Sequence, residues 1–510
     1  MTVTSIDPRN GQAVEEVVEE TSSEQLDRLC ADAAETVDEL DRLGRTGRAE
    51  MLLSMAAALE AARSSLVETA DRETALGPTR LNSELTRACY QLRFFADVLD
   101  EGSYLEATVD HAGPTGMGDR PDARRMLRPL GVVAVFGASN FPFAFSVPGG
   151  DTASALAAGC PVIAKIHEGH PATSVAAWKA LVAGAQHAGA PAACVALVAG
   201  QQSGLTLVQH PAVRAVGFTG SLRVGRLLAD AAAGRPDPIP FYGELGALNA
   251  VVVCPAAASA RTRQIAEGLV GSATLGNGQF CTKPGLVFVP GNASGNQLTS
   301  VLGELVSDLR AGVMLTDRVA QGFAEGSARL AGTKGVRRIA SGRDDSTTEG
   351  YTGTPLLLEA TPDTLDGPLL EECFGPVLVV VPYESAEQLR VLTARLPGAL
   401  TGTVHADDAD SELARQVVEA FEARVGRVVW NGYPTGVAVT WAMHHGGPFP
   451  ATTEPLHTSV GATSIRRWLR PMCYQNVPAA FLPPELRDGD ASVPRRVDGR
   501  LVPPAVSPGR

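Results

Sequence analysis

The chain has no CxxC pair, no His or Cys cluster at metal-ligand spacing, and no apolar run approaching the ~20 residues of a membrane span. Its eight cysteines, Cys30, Cys89, Cys160, Cys194, Cys254, Cys281, Cys373 and Cys473, are scattered. In a chain this long that distribution reads as reduced thiols, not a disulfide framework. No metal centre is expected. Positive charge is also short: 43 Lys and Arg against 56 Asp and Glu leave a net charge of −13, which argues against an electrostatic hold on nucleic acid or anionic lipid. The opening MTVTSIDPRNGQAVEEVVEE lacks the basic and apolar regions of a secretory signal, so a soluble, cytoplasmic protein is expected. Aromatic residues are 5% of the chain, while Gly alone numbers 53. Small residues therefore let helices and backbones pack closely.

What is present is ordinary for a globular protein: 45% hydrophobic and 19% charged residues. The 510 residues suffice for two or three domains. The first hundred residues read as helices. Ser22-Ser23-Glu24 offers a cap before an apolar periodicity running from Leu26 towards Leu43, and further helical stretches follow near 48–71 and 83–99. Residues 106–128, rich in Gly, Pro and charge, read as a connection or extended arm.

From Gly131 the grammar changes. GVVAVFG, PVIAK, CVALVAG and AVRAVGFTG are short apolar runs separated by helical patterns at 152–158 and 172–186, with another at 223–233. Strands alternating with helices indicate a parallel sheet, whose buried strands read as continuous apolar runs. After about Phe241 the pattern restarts, with strands at NAVVV, LVFV, LLLE, VLVVV and GTVH. The final 487–510, dominated by Pro, Arg, Gly and Asp, read as a flexible tail.

Four segments could carry chemistry. In GFTGSLRVG, Gly220, Ser221 and Gly225 sit at a strand–helix junction where backbone N–H groups and a helix dipole can hold a pyrophosphate. Alone, such glycines are as often plain turn chemistry. In GQFCTKP, Cys281 is either a nucleophile in a loop of backbone donors or an inert small core residue. In FYGELGALNA, Glu244 is either a paired core charge or a general base with a tuned pKa. In GASNFPFAFSVPGGD, Asn140 just past a strand end either satisfies a turn or donates to a developing oxyanion.

Taken in order, SNFP, GCPVIAK, GFTGS, GELG, GQFCT and EECFGP resemble the aldehyde dehydrogenase superfamily over about residues 5–485. The resemblance implies an α/β aldehyde dehydrogenase fold, with a Rossmann-like cofactor domain (1–105 and 129–243), a catalytic domain (244–455) and oligomerisation elements (106–128 and 456–486). It implies Cys281 as nucleophile, Glu244 as general base, and Asn140 with the Cys281 N–H as oxyanion hole. Lys165 and Glu168 match contacts to the adenosine ribose, and Ser221 a pyrophosphate contact flanked by turn glycines Gly220 and Gly225. Glu372 and Phe374 match residues that hold the nicotinamide riboside. An NAD(P)-dependent oxidation of an aldehyde to a carboxylate follows, through a thiohemiacetal and a thioester on Cys281, in a homodimer or homotetramer.

The stretches VFGASNFPFAFSVPGGDTASALAAGCPVIAK, NGYPTG, MHHGGPFPATT and RPMCYQN resemble one branch, which holds α-ketoglutaric semialdehyde (2,5-dioxovalerate) dehydrogenases and an NADP-linked fatty aldehyde dehydrogenase. That branch typically reads KAHPAHP where this chain has KIHEGHP, so Glu168 stands where a neutral residue is usual. A carboxylate there accepts hydrogen bonds from both ribose hydroxyls and repels a 2′-phosphate, so NAD preference or dual use is expected. The semialdehyde is the expected substrate, with a medium- or long-chain fatty or general aldehyde as the alternative. A non-catalytic structural relative would have lost Cys281, Glu244 or Asn140, and all three are present. Glu244 also favours hydrolysis over acyl transfer to a carrier thiol. A semialdehyde with a distal carboxylate needs a cation; Arg87 and Arg93 are considered for it and not assigned. His444 and His445 read as loop residues near the substrate mouth without chemistry, and Cys373 as a structural thiol.

Overall fold

A computed structural model describes residues 2–344, 349–489 and 492–504. Two sheets organise it. The first has five strands in the order Phe241–Glu244, Val213–Thr219, Val132–Phe136, Val162–Lys165 and Val195–Val198, every pairing parallel. The central Val132–Phe136 is apolar and buried at each position, as a strand covered on both faces must be. One face packs against the later half of α1 (Ser23–Ala61), with α2 (Arg63–Thr74), α3 (Pro78–Glu101), α4 (Gly150–Ala158) and α5 (Pro171–His187). The other packs against the start of α1, α6 (Gln201–Gln209) and α7 (Leu222–Ala233).

The second sheet has seven strands, ordered Val336–Ser341, Leu356–Ala360, Val377–Tyr383, Pro284–Pro290, Asn249–Val253, Ala399–His405 and Val425–Trp430. Its pairings are parallel except at the Val336–Ser341 edge. The expected strands of both sheets are present. Three strands were not read from the sequence: Phe241–Glu244 of the first sheet is only four residues long, Val336–Ser341 carries Arg337 and Arg338, and Val425–Trp430 is nowhere fully buried. Half-exposed edges lack the continuous apolar signature.

Three local readings are corrected. The helices are preceded by an antiparallel hairpin, Thr2–Asp7 with Gln12–Glu19, turned at Asn10-Gly11 with Gly11 at φ +70°. Its strands are short and polar, so periodicity passes over them, although Asn-Gly is a turn signal. The helical stretch expected at 48–71 is the end of α1, which breaks at Gly44 (φ 65°), followed by α2. Third, the C-terminal segment is not wholly irregular: Arg495–Val497 pairs in parallel with Thr108–Asp110, and Arg500–Val502 pairs with Arg495–Val497. Asp490, Ala491 and residues 505–510 lie outside the described residues. With Ala123–Pro129 and Leu469–Gln475, these strands complete a five-stranded third sheet built from the expected arm. The partner strand, not local composition, orders this tail. Among the described residues no helix is long and apolar enough to cross a membrane.

Candidate active site

Chain turns at the C-terminal ends of the first sheet bring four of the sequence-marked segments to one edge, where ligands bind in open parallel sheets. Asn140 follows Val132–Phe136, Lys165 ends Val162–Lys165, Gly220 and Ser221 follow Val213–Thr219, and Glu244 ends Phe241–Glu244. The second sheet supplies Cys281 from the loop entering Pro284–Pro290.

That loop is tightly specified. Gly276, Asn277 and Gly278 all have left-handed backbone (φ 55°, 54° and 70°), affordable for Gly and Asn. A Cβ on Gly278 would sit 2.3 Å from the Gly375 carbonyl carbon. The Asn277 amide donates to the carbonyls of Gly312 (2.8 Å) and Gly353 (3.1 Å). Asn249, fully buried, donates to the Cys281 carbonyl (2.8 Å) and the Lys283 carbonyl (3.1 Å), while its oxygen accepts from the N–H and hydroxyl of Thr401. The nucleophile candidate is thus held by its own backbone.

Around Cys281 the side chains converge. His445 Nε2 lies 3.6 Å from Cys281 Sγ and 2.9 Å from Glu244 Oε1. At 2.9 Å from a carboxylate, Nε2 is the protonated nitrogen. Ser459 Oγ donates to the other Glu244 oxygen at 2.7 Å. Glu244 and His445 are 4% and 1% exposed. Burial alone would raise the Glu244 pKa, but His445 and the donors on both oxygens outweigh it and hold the carboxyl below its ordinary value. Burial and the Glu244 charge push the Cys281 thiol well above its ordinary value. The resting pair is therefore a thiol beside a carboxylate. Against that, Arg87 and Arg427 lie within electrostatic reach of Cys281 and favour the thiolate.

The sequence reading placed His445 in a loop near the substrate mouth; the structure places its ring at the centre of the site. His445 is buried between the two central residues, its backbone N–H donating to the Thr458 hydroxyl at 2.8 Å. The signal available was only a His-His pair in a Gly/Pro-rich loop. The paired-charge reading of Glu244 holds, and its partner reaches the thiol. The three ligand-type atoms lie within 4.8 Å of one another, a Cys–His–Glu set of metal-binding kind. The hydrogen bonds to both Glu244 oxygens account for the arrangement without an ion.

Asn140 does not close its own turn. Its Nδ2 donates to the Gln279 carbonyl at 2.9 Å, tying the loop of the first sheet to the loop of the second two residues before Cys281. Helix α3 fixes this loop from behind: Arg80 donates to the Asn140 carbonyl (2.6 Å), and Glu84 accepts from the N–H groups of Phe143 (2.8 Å) and Ala144 (3.0 Å). Arg80 also stacks over Phe141 and Phe280, at 5.0 and 4.6 Å from the ring centres.

The cofactor-marked residues lie along the same edge. Lys165 Nζ stands 3.6 Å from Glu168 Oε1, and Gln201 donates to the other Glu168 oxygen at 3.1 Å. Ser221 is the N-cap of α7, its oxygen accepting from the Val224 N–H. Gly225 is inside α7, not in the turn as expected: a Cβ there would fall 2.1 Å from Leu245 Cδ2. The glycine is needed for close packing of helix on strand. Glu372 faces the Gly246 backbone, where a Cβ would meet its Oε2 at 2.3 Å. Burial raises its pKa to about 7, against the pull of Lys283. Phe374 is half-buried two residues on. Cys373 packs towards Gly326 of a neighbouring helix, consistent with a structural thiol. A capped helix N-terminus, a Lys–Glu pair two strands along the sheet and a half-buried acid by the thiol suit a dinucleotide.

Residues 1–448 match the model of the aldehyde dehydrogenase family. The chain belongs to the aldehyde dehydrogenase family. As a member it is an oxidoreductase acting on small aldehydes with NAD or NADP. It is similar to alpha-ketoglutaric semialdehyde dehydrogenase 2 of Azospirillum brasilense, 42% identical over 504 residues covering 98% of this chain and 96% of that one. It is 37% identical to alpha-ketoglutaric semialdehyde dehydrogenase of Acinetobacter baylyi, over 98% and 96% of the two chains. Among solved structures, 1-pyrroline-5-carboxylate dehydrogenase from Thermus, with bound NAD, superposes at TM-score 0.79 and 22% identity, covering 93% of this chain and 90% of that one. That likeness establishes the shared aldehyde dehydrogenase fold.

Proposed function

We propose that this aldehyde dehydrogenase oxidises α-ketoglutaric semialdehyde to 2-oxoglutarate, with Cys281 as the covalent nucleophile. The Cys281–His445–Glu244 contacts carry the mechanism, and the two relatives named for that semialdehyde support the substrate. The Glu244–His445 pair takes the Cys281 thiol proton and passes it to solvent as the sulfur adds to the aldehyde carbon, and the new oxyanion takes hydrogen bonds from the Cys281 N–H and the remaining Asn140 amide N–H. When bound, the nicotinamide accepts the hydride, which leaves a thioester on Cys281. The Glu244–His445 pair takes a proton from water. The hydroxide adds to the thioester carbon, the C–S bond breaks, and the carboxylate leaves as the thiol is restored.

Lys165 and Glu168 are the proposed adenosine-ribose contacts, with Ser221 at the pyrophosphate, Gly220 and Gly225 shaping its cradle, and Glu372 and Phe374 at the nicotinamide riboside. The carboxylate of Glu168, 44% exposed at the edge, would repel a 2′-phosphate, which supports NAD preference or dual use. Assays of reduced nicotinamide formation should give the highest kcat/KM with the semialdehyde and NAD, and Glu168→Gln should raise the NADP-to-NAD ratio about tenfold. Higher kcat/KM for hexanal or longer aldehydes would replace the substrate reading with the fatty aldehyde one. A large wild-type NADP preference would end the cofactor reading.

The third sheet supports a homodimer or homotetramer, because its edge strand Leu469–Gln475 is exposed along most of its length, an open template for pairing. Light scattering should read two or four chains; a monomer at micromolar concentration overturns this.

A further inference from the structure

Three arginines line this region, and each has a buried donor without a partner, but only Arg87 has two. Arg427 spends both terminal nitrogens on the carbonyls of Pro434 (2.8 Å) and Gly436 (3.1 Å), leaving only Nε without a partner. Arg80 donates from Nη2 to the Asn140 carbonyl and stacks over two phenylalanines, with Nη1 alone buried and unpartnered. Arg87 donates from Nη1 to the Val437 carbonyl, and its Nε and Nη2 are buried with no hydrogen-bond partner. Arg93, the other arginine weighed from sequence, is half-exposed and faces Glu60 at 3.9 Å.

The free edge of Arg87 is the Nε–Nη2 edge, two parallel N–H groups in the fork that takes a carboxylate bidentately. Leaving buried donors of a permanent cation unpaired is costly, so the site is built for an acceptor that arrives from outside. Its place fits a substrate. The Arg87 guanidinium lies 5.4 Å from the centre of the Phe145 ring, and that ring is 6.2 Å from the His445 ring beside Cys281. Arg87 also feels the charges of Glu84, Cys281 and Glu244, in that order. Glu84, the largest charge acting on Arg87, has one oxygen committed to the Phe143 and Ala144 N–H groups and the other buried without a partner, and makes no ion pair with Arg87 within 4.0 Å.

We propose that the Nε–Nη2 edge of Arg87 is the subsite for the distal carboxylate of the substrate, opposite the aldehyde carbon at Cys281. This rests on the semialdehyde reading and adds the residue that enforces it. Arg87 holds the tail while Phe145 packs under the guanidinium, and Arg427 clamps the adjoining 434–436 carbonyls so that the loop cannot take up the free edge.

The test compares kcat/KM for α-ketoglutaric semialdehyde with that for pentanal, in wild type, Arg87→Met and Arg87→Lys. Wild type should prefer the semialdehyde. In Arg87→Met the semialdehyde-to-pentanal ratio should fall about 100-fold, the scale for losing a buried ionic partner, mostly through KM. Arg87→Lys should recover part of that ratio, because an ammonium keeps the charge and loses the fork. An equal fall on both substrates would make Arg87 a support for Val437 and overturn the subsite while leaving the substrate intact. A wild type without preference for the semialdehyde would instead overturn the substrate reading. Unchanged ratios in a semialdehyde-preferring wild type would overturn the subsite directly.

Discussion

Replacing Cys281 by Ser should reduce aldehyde oxidation by about four orders of magnitude or more, the scale for losing a covalent nucleophile. Serine is nearly isosteric, so the loop of left-handed residues and the Asn249 clamp stay as they are. A hydroxyl is a far weaker nucleophile than a thiolate near neutral pH. The variant should melt within a few degrees of wild type and still bind cofactor by fluorescence titration. Appreciable turnover in Cys281→Ser would sink the covalent mechanism. The wild-type thiol carries a second expectation. Burial and the Glu244 charge raise its pKa, so it is protonated at neutral pH. Thiolate forms only as pH climbs past the ordinary thiol range near ~8.5. Alkylation at Cys281, followed by peptide mapping to separate it from exposed Cys473, should rise with pH and show no plateau below that range. A plateau near pH 7 would contradict this electrostatic account.

Glu244→Gln should do two opposite things. Glutamine keeps the shape but offers no basic oxygen. Steady-state turnover should therefore drop about 10²- to 10⁴-fold, the range for a lost general base. Thiol addition and hydride loss precede water attack, so a burst of about one reduced nicotinamide per site should remain, with acyl-enzyme visible by mass. At the same time, removing the carboxylate charge takes away the second-largest influence raising the Cys281 pKa. Alkylation at pH 8 should become faster, not slower. Slower alkylation together with no burst would mean that Glu244 serves the thiol instead of the thioester. Unchanged turnover would remove it from the mechanism.

The difference between the two carboxylates at the site follows from their partners. Glu244 and Glu372 are both desolvated, yet one is held down and the other raised to about 7. His445 and Ser459 saturate the oxygens of Glu244, whereas Lys283 gives Glu372 only partial relief because it donates to the Val377 carbonyl. Composition is the same; hydrogen-bond supply decides.

Much of this protein was written locally. Strands such as Val132–Phe136 and Asn249–Val253 are read correctly because a strand buried on both faces must be apolar throughout. The helix start at Ser22 is legible because its cap is a short-range hydrogen bond to Gln25. The ordered motifs around Asn140, Glu244 and Cys281 identify the family, since reaction chemistry limits what those loops can contain. Contacts across the chain were not legible. His445 lies 164 residues from Cys281 and 201 from Glu244, so no spacing or periodicity connects them. Gly225 looked like a turn residue because only the packed structure places Leu245 against it. Arg87 could not be told from Arg93 by sequence, both being on one helix. Folding buries one with two unpartnered donors and turns the other to the surface. The sequence by itself determined the fully buried strands, the capped helix start and the family, because those depend on neighbours in the chain. Tertiary structure decided which charges are desolvated and which donors are left free, because burial and pairing are set by residues far away in sequence.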